Sequence, residues 1–324
     1  MTSSPDLQFS SINYTGLEKG IRLIVTGAVH GNETCGTKGI LRVMAELDSG
    51  ALLVTHGSVT FVPIVNPLAY RKQQRSGDRN LNRNLFPTPT PQDFEDHIAN
   101  WLCPLLAQHD VLLDLHSFNA PSAPFVMVGP LDNDGTLQPF RHAAKERAWA
   151  RRLGVGRFVD GWLATYGDGV QRRSRNRSDA AELENNLRYG VGTTEYMRST
   201  GGYALTLECG QHADPAAPDV AYRAIVNTLA FLELIDAPAP AAIALDAMEA
   251  LSMVVVHDKR DAGDRFTRQW SSFDPVAEGE QIGVRADGTP VVAEFSGRIL
   301  FPDMNAQPNH EWYYLTRPNT DFVQ

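Results

Sequence analysis

Apolar and polar positions along the chain fall into two repeating signatures, short β-branched runs and longer stretches with apolar residues three and four apart. Gly20–Gly27 is a β-branched run closed by Gly, which predicts a buried strand. Gly36–Leu47 carries Ile40, Val43, Met44 and Leu47 at helical spacing. Val59–Val65, Val111–His116 and Tyr203–Gly210 predict further buried strands. Asp93–Leu106 and Val220–Leu234 predict helices, the first with Asp93 at its N-cap. Strands that alternate with helices predict an α/β fold, a mostly parallel (mixed) sheet with helices on both faces.

The pattern changes near residue 236. Asp236–Ala242 is rich in Pro and Ala and reads as a semi-rigid linker. Beyond it, Ser252–His257, Glu280–Val284, Val291–Phe295 and Gly297–Phe301 are short β candidates, with Asp287-Gly288 as a turn signal. The expected organisation is a catalytic α/β domain over 1–236 and a smaller C-terminal β domain over 237–324. That second domain would serve as a lid, a packing unit or an oligomer contact. Pro275–Gly297 resembles a biotinyl/lipoyl hammerhead, but no Lys follows Lys259 to carry a prosthetic group.

Composition narrows the class. The 324 residues are 43% hydrophobic and 21% charged, enough apolar material for a sizeable core. The formal net charge of -9 argues against general binding to nucleic acid or anionic membranes. Three Cys at wide spacing suggest neither a disulfide framework nor a Cys-based zinc site. No basic-then-apolar leader opens the sequence and no apolar run approaches ~20 residues, so a cytoplasmic setting is expected.

The informative chemistry lies at the strand ends. Gly27-Ala28-Val29-His30-Gly31-Asn32-Glu33 follows the first buried strand, and Asp114-Leu115-His116 ends another. Ligands collect at the carboxyl ends of strands in open α/β sheets. Two imidazoles and one carboxylate, His30, His116 and Glu33, leave an open position, the pattern of a catalytic zinc site. Asp114 lies on the same strand face as His116 and is a candidate to accept its outer N–H. The other His residues, including His212, are read as turn, core or surface groups.

These motifs resemble the metal-binding blocks of the aspartoacylase/succinylglutamate desuccinylase family, relatives of the zinc carboxypeptidases. Asn66-Pro67, Arg75 and Asn80-Leu81-Asn82-Arg83 are similar to its next block, and Leu207-Glu208-Cys209-Gly210 to its catalytic strand end. The resemblance spans roughly residues 20–234. It implies one Zn²⁺ per chain on His30, Glu33 and His116, with Glu208 as general base and Arg75 stabilising the oxyanion. It also implies that Asn82, Arg83 and Arg198 grip a substrate carboxylate, with Tyr313 or Tyr314 reaching over the site. The sequence departs from the family at Asn80, where the family has Asp, and at Cys209.

The expected activity is zinc-dependent hydrolysis of the amide bond of a small anionic N-acyl amino acid. A metallocarboxypeptidase acting on short peptides uses the same groups, although a C-terminal domain that narrows access favours the deacylase. A non-catalytic binding protein that retains the fold is the alternative of another class. Arg172–Arg177 offers a basic lip for anionic substrates. No nucleic acid or membrane partner is expected, and a homo-oligomer is compatible with the chain.

Overall fold

The computed structural model describes residues 7–135, 138–174 and 188–323. One large mixed sheet organises the molecule. Its strands run β1 (Ile12–Thr15), β2 (Glu18–Gly27), β3 (His56–Val62), β4 (Val111–Phe118), β5 (Phe125–Met127), β6 (Arg157–Asp160), β7 (Tyr203–Gln211) and β8 (Glu249–Asp258). Three later strands, β10 (Pro275–Val276), β13 (Gly297–Leu300) and β14 (Glu311–Pro318), join the same sheet. The spatial order is β1-β3-β2-β4-β7-β5-β6-β8-β14-β13-β10. A small antiparallel sheet, β12-β11-β9, is formed by β9 (Arg265–Phe266), β11 (Gln281–Val284) and β12 (Pro290–Val292).

The centre, β3-β2-β4-β7, is parallel throughout. Every residue of β4 is buried, as expected of a strand covered on both faces. Helices α1 (Cys35–Asp48), α4 (Ala143–Ala150) and α7 (Ala217–Phe231) cover one face. They enclose a core that includes Leu23, Val25, Ile40, Leu113, Trp149, Leu205 and Ile225. On the other face α3 (Phe94–Leu106) and α6 (Thr193–Ser199) pack over Ile24, Leu102, Leu112 and Ala204. Between them in sequence lie α2 (Pro67–Lys72) and α5 (Trp162–Ser174). Asp93 caps α3, its side chain accepting from the Asp96 N–H at 2.8 Å. Among the described residues no helix is long and apolar enough to cross a membrane.

The C-terminal strands continue the main sheet. β8 pairs in parallel with β6, from Arg157↔Glu249 to Asp160↔Ser252, and β14 and β13 extend it antiparallel. Only β9, β11 and β12 stand apart, over a cluster containing Trp270, Ile282, Phe295 and Trp312. The segment 237–242 itself has no regular structure, in keeping with its Pro/Ala composition.

Candidate metal and catalytic site

Three parallel strands bring the chemistry together. His30 and Glu33 lie in the turn that leaves β2, and His116 and Glu208 are direct neighbours across β4 and β7. The turn after β2 begins at Ala28, whose φ of 49° is left-handed. Gly31 explains the small residue inside the motif. A Cβ there would lie 1.9 Å from the carbonyl carbon of Ala69, so only Gly lets the turn press against α2.

The ligand atoms of His30, Glu33 and His116 lie within 4.8 Å of one another, all buried, and this group can hold a metal ion. His30 Nδ1 is 2.8 Å from Glu33 Oε1, and His116 Nδ1 is 2.9 Å from Oε2. The outer nitrogens have separate acceptors. His116 Nε2 meets Asp114 Oδ2 at 2.8 Å, and the same carboxylate accepts from the Thr26 and Thr193 hydroxyls. His30 Nε2 meets Asn80 Oδ1 at 2.9 Å. With its Nε2 proton given to Asn80, His30 turns a bare Nδ1 lone pair toward a carboxylate oxygen. A cation relieves that opposition, so the donor set fits a metal.

The electrostatics favour the ligand form at His30 and Glu33, whereas His116 is held as an imidazolium between two carboxylates until a cation displaces its proton. Burial, helped by Arg75, pulls His30 down to about 4, which favours the neutral ligand form. Burial alone would raise Glu33, but His30 and His116 outweigh it and hold the carboxyl well below its usual range. Burial likewise opposes the charge on His116, yet Asp114 and Glu33 overcome it and raise the imidazole well above 6.5. Glu208 goes the other way. Burial pushes its carboxyl up to about 8 against the pull of His116, and Oε2 is buried with no hydrogen-bond partner among the described residues.

The loop after α2 supplies the cations. It is pinned by Glu95, fully buried, whose carboxylate accepts the N–H groups of Gly77 at 2.9 Å, Asp78 at 3.1 Å and Arg79 at 3.2 Å. Asn66 caps α2 through the Ala69 N–H and donates to the same Glu95. So anchored, the loop brings Arg75 Nη1 within 3.1 Å of Glu33 Oε1. Arg83 lies over the Trp162 ring at 4.6 Å and donates to the Asn82 carbonyl at 2.8 Å. No carboxylate among the described residues pairs with it. The Asn82 side-chain oxygen accepts the Thr193 N–H at 2.9 Å, so Asn82 ties this loop to α6.

Two expected contributors are placed differently. Arg198 reaches the cavity wall, but its guanidinium is taken up by Glu146 in two 3.1 Å contacts, by the Ala204 carbonyl at 2.6 Å and by Glu195 at 3.6 Å. In this structure the guanidinium is thus engaged by two carboxylates at the cavity wall and is not presented as a free cation. Tyr313 and Tyr314 are successive residues on β14 and face opposite ways. Tyr314 lines the cavity, whereas Tyr313 is fully buried behind His257, a lining residue on which it stacks at 4.7 Å. Tyr313 thus does not line the cleft. Of the Arg172–Arg177 cluster, Arg172 lines the cavity and donates to the Val256 carbonyl, while the rest falls outside what the structure describes of the side chains.

The structure also shows site residues that the sequence reading left aside. Ser117 Oγ is 2.8 Å from His212 Nδ1, and His212 Nε2 is 3.4 Å from Asn32 Nδ2. Ser117 and His212 line the cavity together with His30, Glu33 and His116. Their only sequence signal is adjacency, Ser117 to His116 and Asn32 to Glu33. His30, Glu33, Arg75, His116, Glu208 and His212 line one cleft of about 1230 Å³, to which the C-terminal segment adds Lys259, Arg285, Asp303 and His310.

Residues 19–143 match the model of the succinylglutamate desuccinylase/aspartoacylase catalytic domain. No curated protein matches the chain. Among solved structures, a succinylglutamate desuccinylase/aspartoacylase from Rhodobacter sphaeroides is 18% identical, with a TM-score of 0.70 over 97% of this chain and 90% of that one. An aspartoacylase family protein from Mesorhizobium loti is 20% identical, with a TM-score of 0.67 and the same coverage, 97% and 90%. The ectoine utilization protein EutE from Ruegeria pomeroyi is 18% identical, with a TM-score of 0.67 over 94% and 87%. At these identities the structural likeness shows the fold.

Proposed function

We propose that this chain, which resembles the succinylglutamate desuccinylase/aspartoacylase family in sequence over residues 19–143 and in fold along its length, is a zinc-dependent hydrolase of small N-acyl amino acids. The observation that carries the reading is the buried His30–Glu33–His116 group with a proton-loving Glu208 on the adjoining strand. Zinc held by His30, Glu33 and His116 would supply Lewis acidity toward the substrate carbonyl and toward a water molecule. Glu208 takes the proton of that water and later delivers it to the departing nitrogen, a task that suits a carboxyl whose pKa is raised toward neutrality. Arg75 donates to the oxygen on which negative charge develops. Arg83, oriented by the Trp162 ring and without a carboxylate partner among the described residues, binds the substrate carboxylate through its planar edge. Asp114 fixes the His116 tautomer with Nε2–H outward.

A second reading, a carboxypeptidase acting on short peptides, is favoured by one observation. The cleft of about 1230 Å³ exceeds the roughly 300–1,000 Å³ of ordinary small-ligand pockets, so it admits more than a small N-acyl amino acid. One experiment separates the readings. Chelator-treated protein is reconstituted with zinc and assayed on N-acetyl and N-succinyl amino acids beside short peptides. Zinc-restored release of free amino acid from the acylated panel is expected. Release only of C-terminal residues from peptides would move the assignment to the peptidase. No zinc uptake and no chelator-sensitive activity on either panel would leave a non-catalytic binding protein.

A further inference from the structure

The two histidines of the cluster turn the same nitrogen toward Glu33 but rest on different outer partners. His116 is backed by a buried carboxylate, Asp114, at 2.8 Å. His30 is backed by a neutral amide, Asn80, at 2.9 Å. The orientation of that amide follows from a second contact. The Asn80 atom that meets His30 also lies 3.0 Å from the backbone N–H of Asn82. A backbone N–H can only donate, so the shared atom is oxygen. His30 Nε2 must therefore donate to it, which leaves Nδ1 bare and aimed at the cluster.

We infer that Asn80 is a positioning residue for the metal that keeps His30 as the weaker of the two imidazole donors. The inference rests on the proposed metal site. An outer carboxylate polarises the N–H of a ligating imidazole and raises the basicity of the nitrogen that faces the cation. An amide oxygen fixes the same tautomer and ring orientation with less polarisation. It also brings no negative charge, whereas Asp114 does. The cation is then held less tightly, and more of its charge is left to act on a substrate oxygen. Asn80 lines the cleft and is only half-buried, so a carboxylate there is tolerated without full desolvation.

Zinc affinity is the direct readout, measured on metal-free protein by competition with a chromophoric chelator. Asn80→Asp is expected to bind zinc about tenfold to hundredfold more tightly than the parent and to release it more slowly into excess chelator. Asn80→Ala, which removes the acceptor, is expected to bind it about tenfold or more weakly, with far-UV circular dichroism unchanged. If the parent protein binds zinc while Asn80→Asp binds it equally or less well, the inference is overturned and the metal site stands. An unchanged affinity in Asn80→Ala overturns it too. If the parent itself takes up no zinc, the metal assignment fails first.

Discussion

Replacing Glu208 with Gln separates the stability of this fold from its chemistry. The side chain is 8% exposed and Oε2 has no hydrogen-bond partner among the described residues. Burial pushes the carboxyl from its ordinary 4.5 to about 8. Below pH 4.5 the group is protonated whether the chain is folded or not, and its ionisation costs nothing. Between 4.5 and 8 the folded protein keeps a proton that the unfolded chain releases, so this contribution to stability is lost as the pH rises. At about 1.4 kcal/mol per pH unit, the full cost above pH 8 is about 5 kcal/mol in the metal-free protein. Glutamine keeps the shape and carries no charge. Glu208→Gln should therefore match the parent near pH 4 and exceed it by up to about 5 kcal/mol at pH 9. Urea denaturation of chelator-treated protein at the two pH values measures the gap. A difference that is the same at both would refute the burial argument. In the zinc-loaded protein the gap should shrink, because a cation beside Glu208 favours its ionised form. The same variant should bind zinc normally and lose about 10²- to 10⁴-fold in turnover, the usual contribution of a general base.

Two further outcomes test the surroundings of the site. Glu146→Ala should cost about 3–5 kcal/mol in urea denaturation, because it leaves the Arg198 guanidinium buried without its two-contact partner. Were Arg198 a substrate clamp, the same change would free it and lower KM with little loss of stability. Gly31→Ala should cost about 1–3 kcal/mol and weaken zinc uptake, since the added methyl collides with the Ala69 carbonyl carbon. A variant with parental zinc affinity would show that the turn can shift without disturbing His30 and Glu33.

The sequence by itself determined the central strands and the order of the chemistry. Runs such as Leu23–Thr26 and Val111–Leu115 can only be buried, and the groups that follow such runs directly, His30, Glu33 and His116, inherit a position at the sheet's carboxyl edge. Glu208 was legible for the same reason. What the tertiary structure decided depends on partners far away in the chain. Arg198 reads as a free cation until Glu146, fifty-two residues earlier, is seen against it. The adjacent Tyr313 and Tyr314 are alike in sequence, and only the pairing of β14 with β8 and β13 says which one faces the cleft. Asn80 looks like the loss of an ion pair, yet the fold keeps its oxygen on His30 and removes only the charge. Past the composition break near residue 236, β8 adds to β6, a pairing that no local pattern announces. Local pattern fixes whether a segment is buried and what it carries. Which groups neutralise, stack on or extend one another is settled by contacts over tens to nearly two hundred residues, such as Asn32 with His212, and no local spacing encodes those.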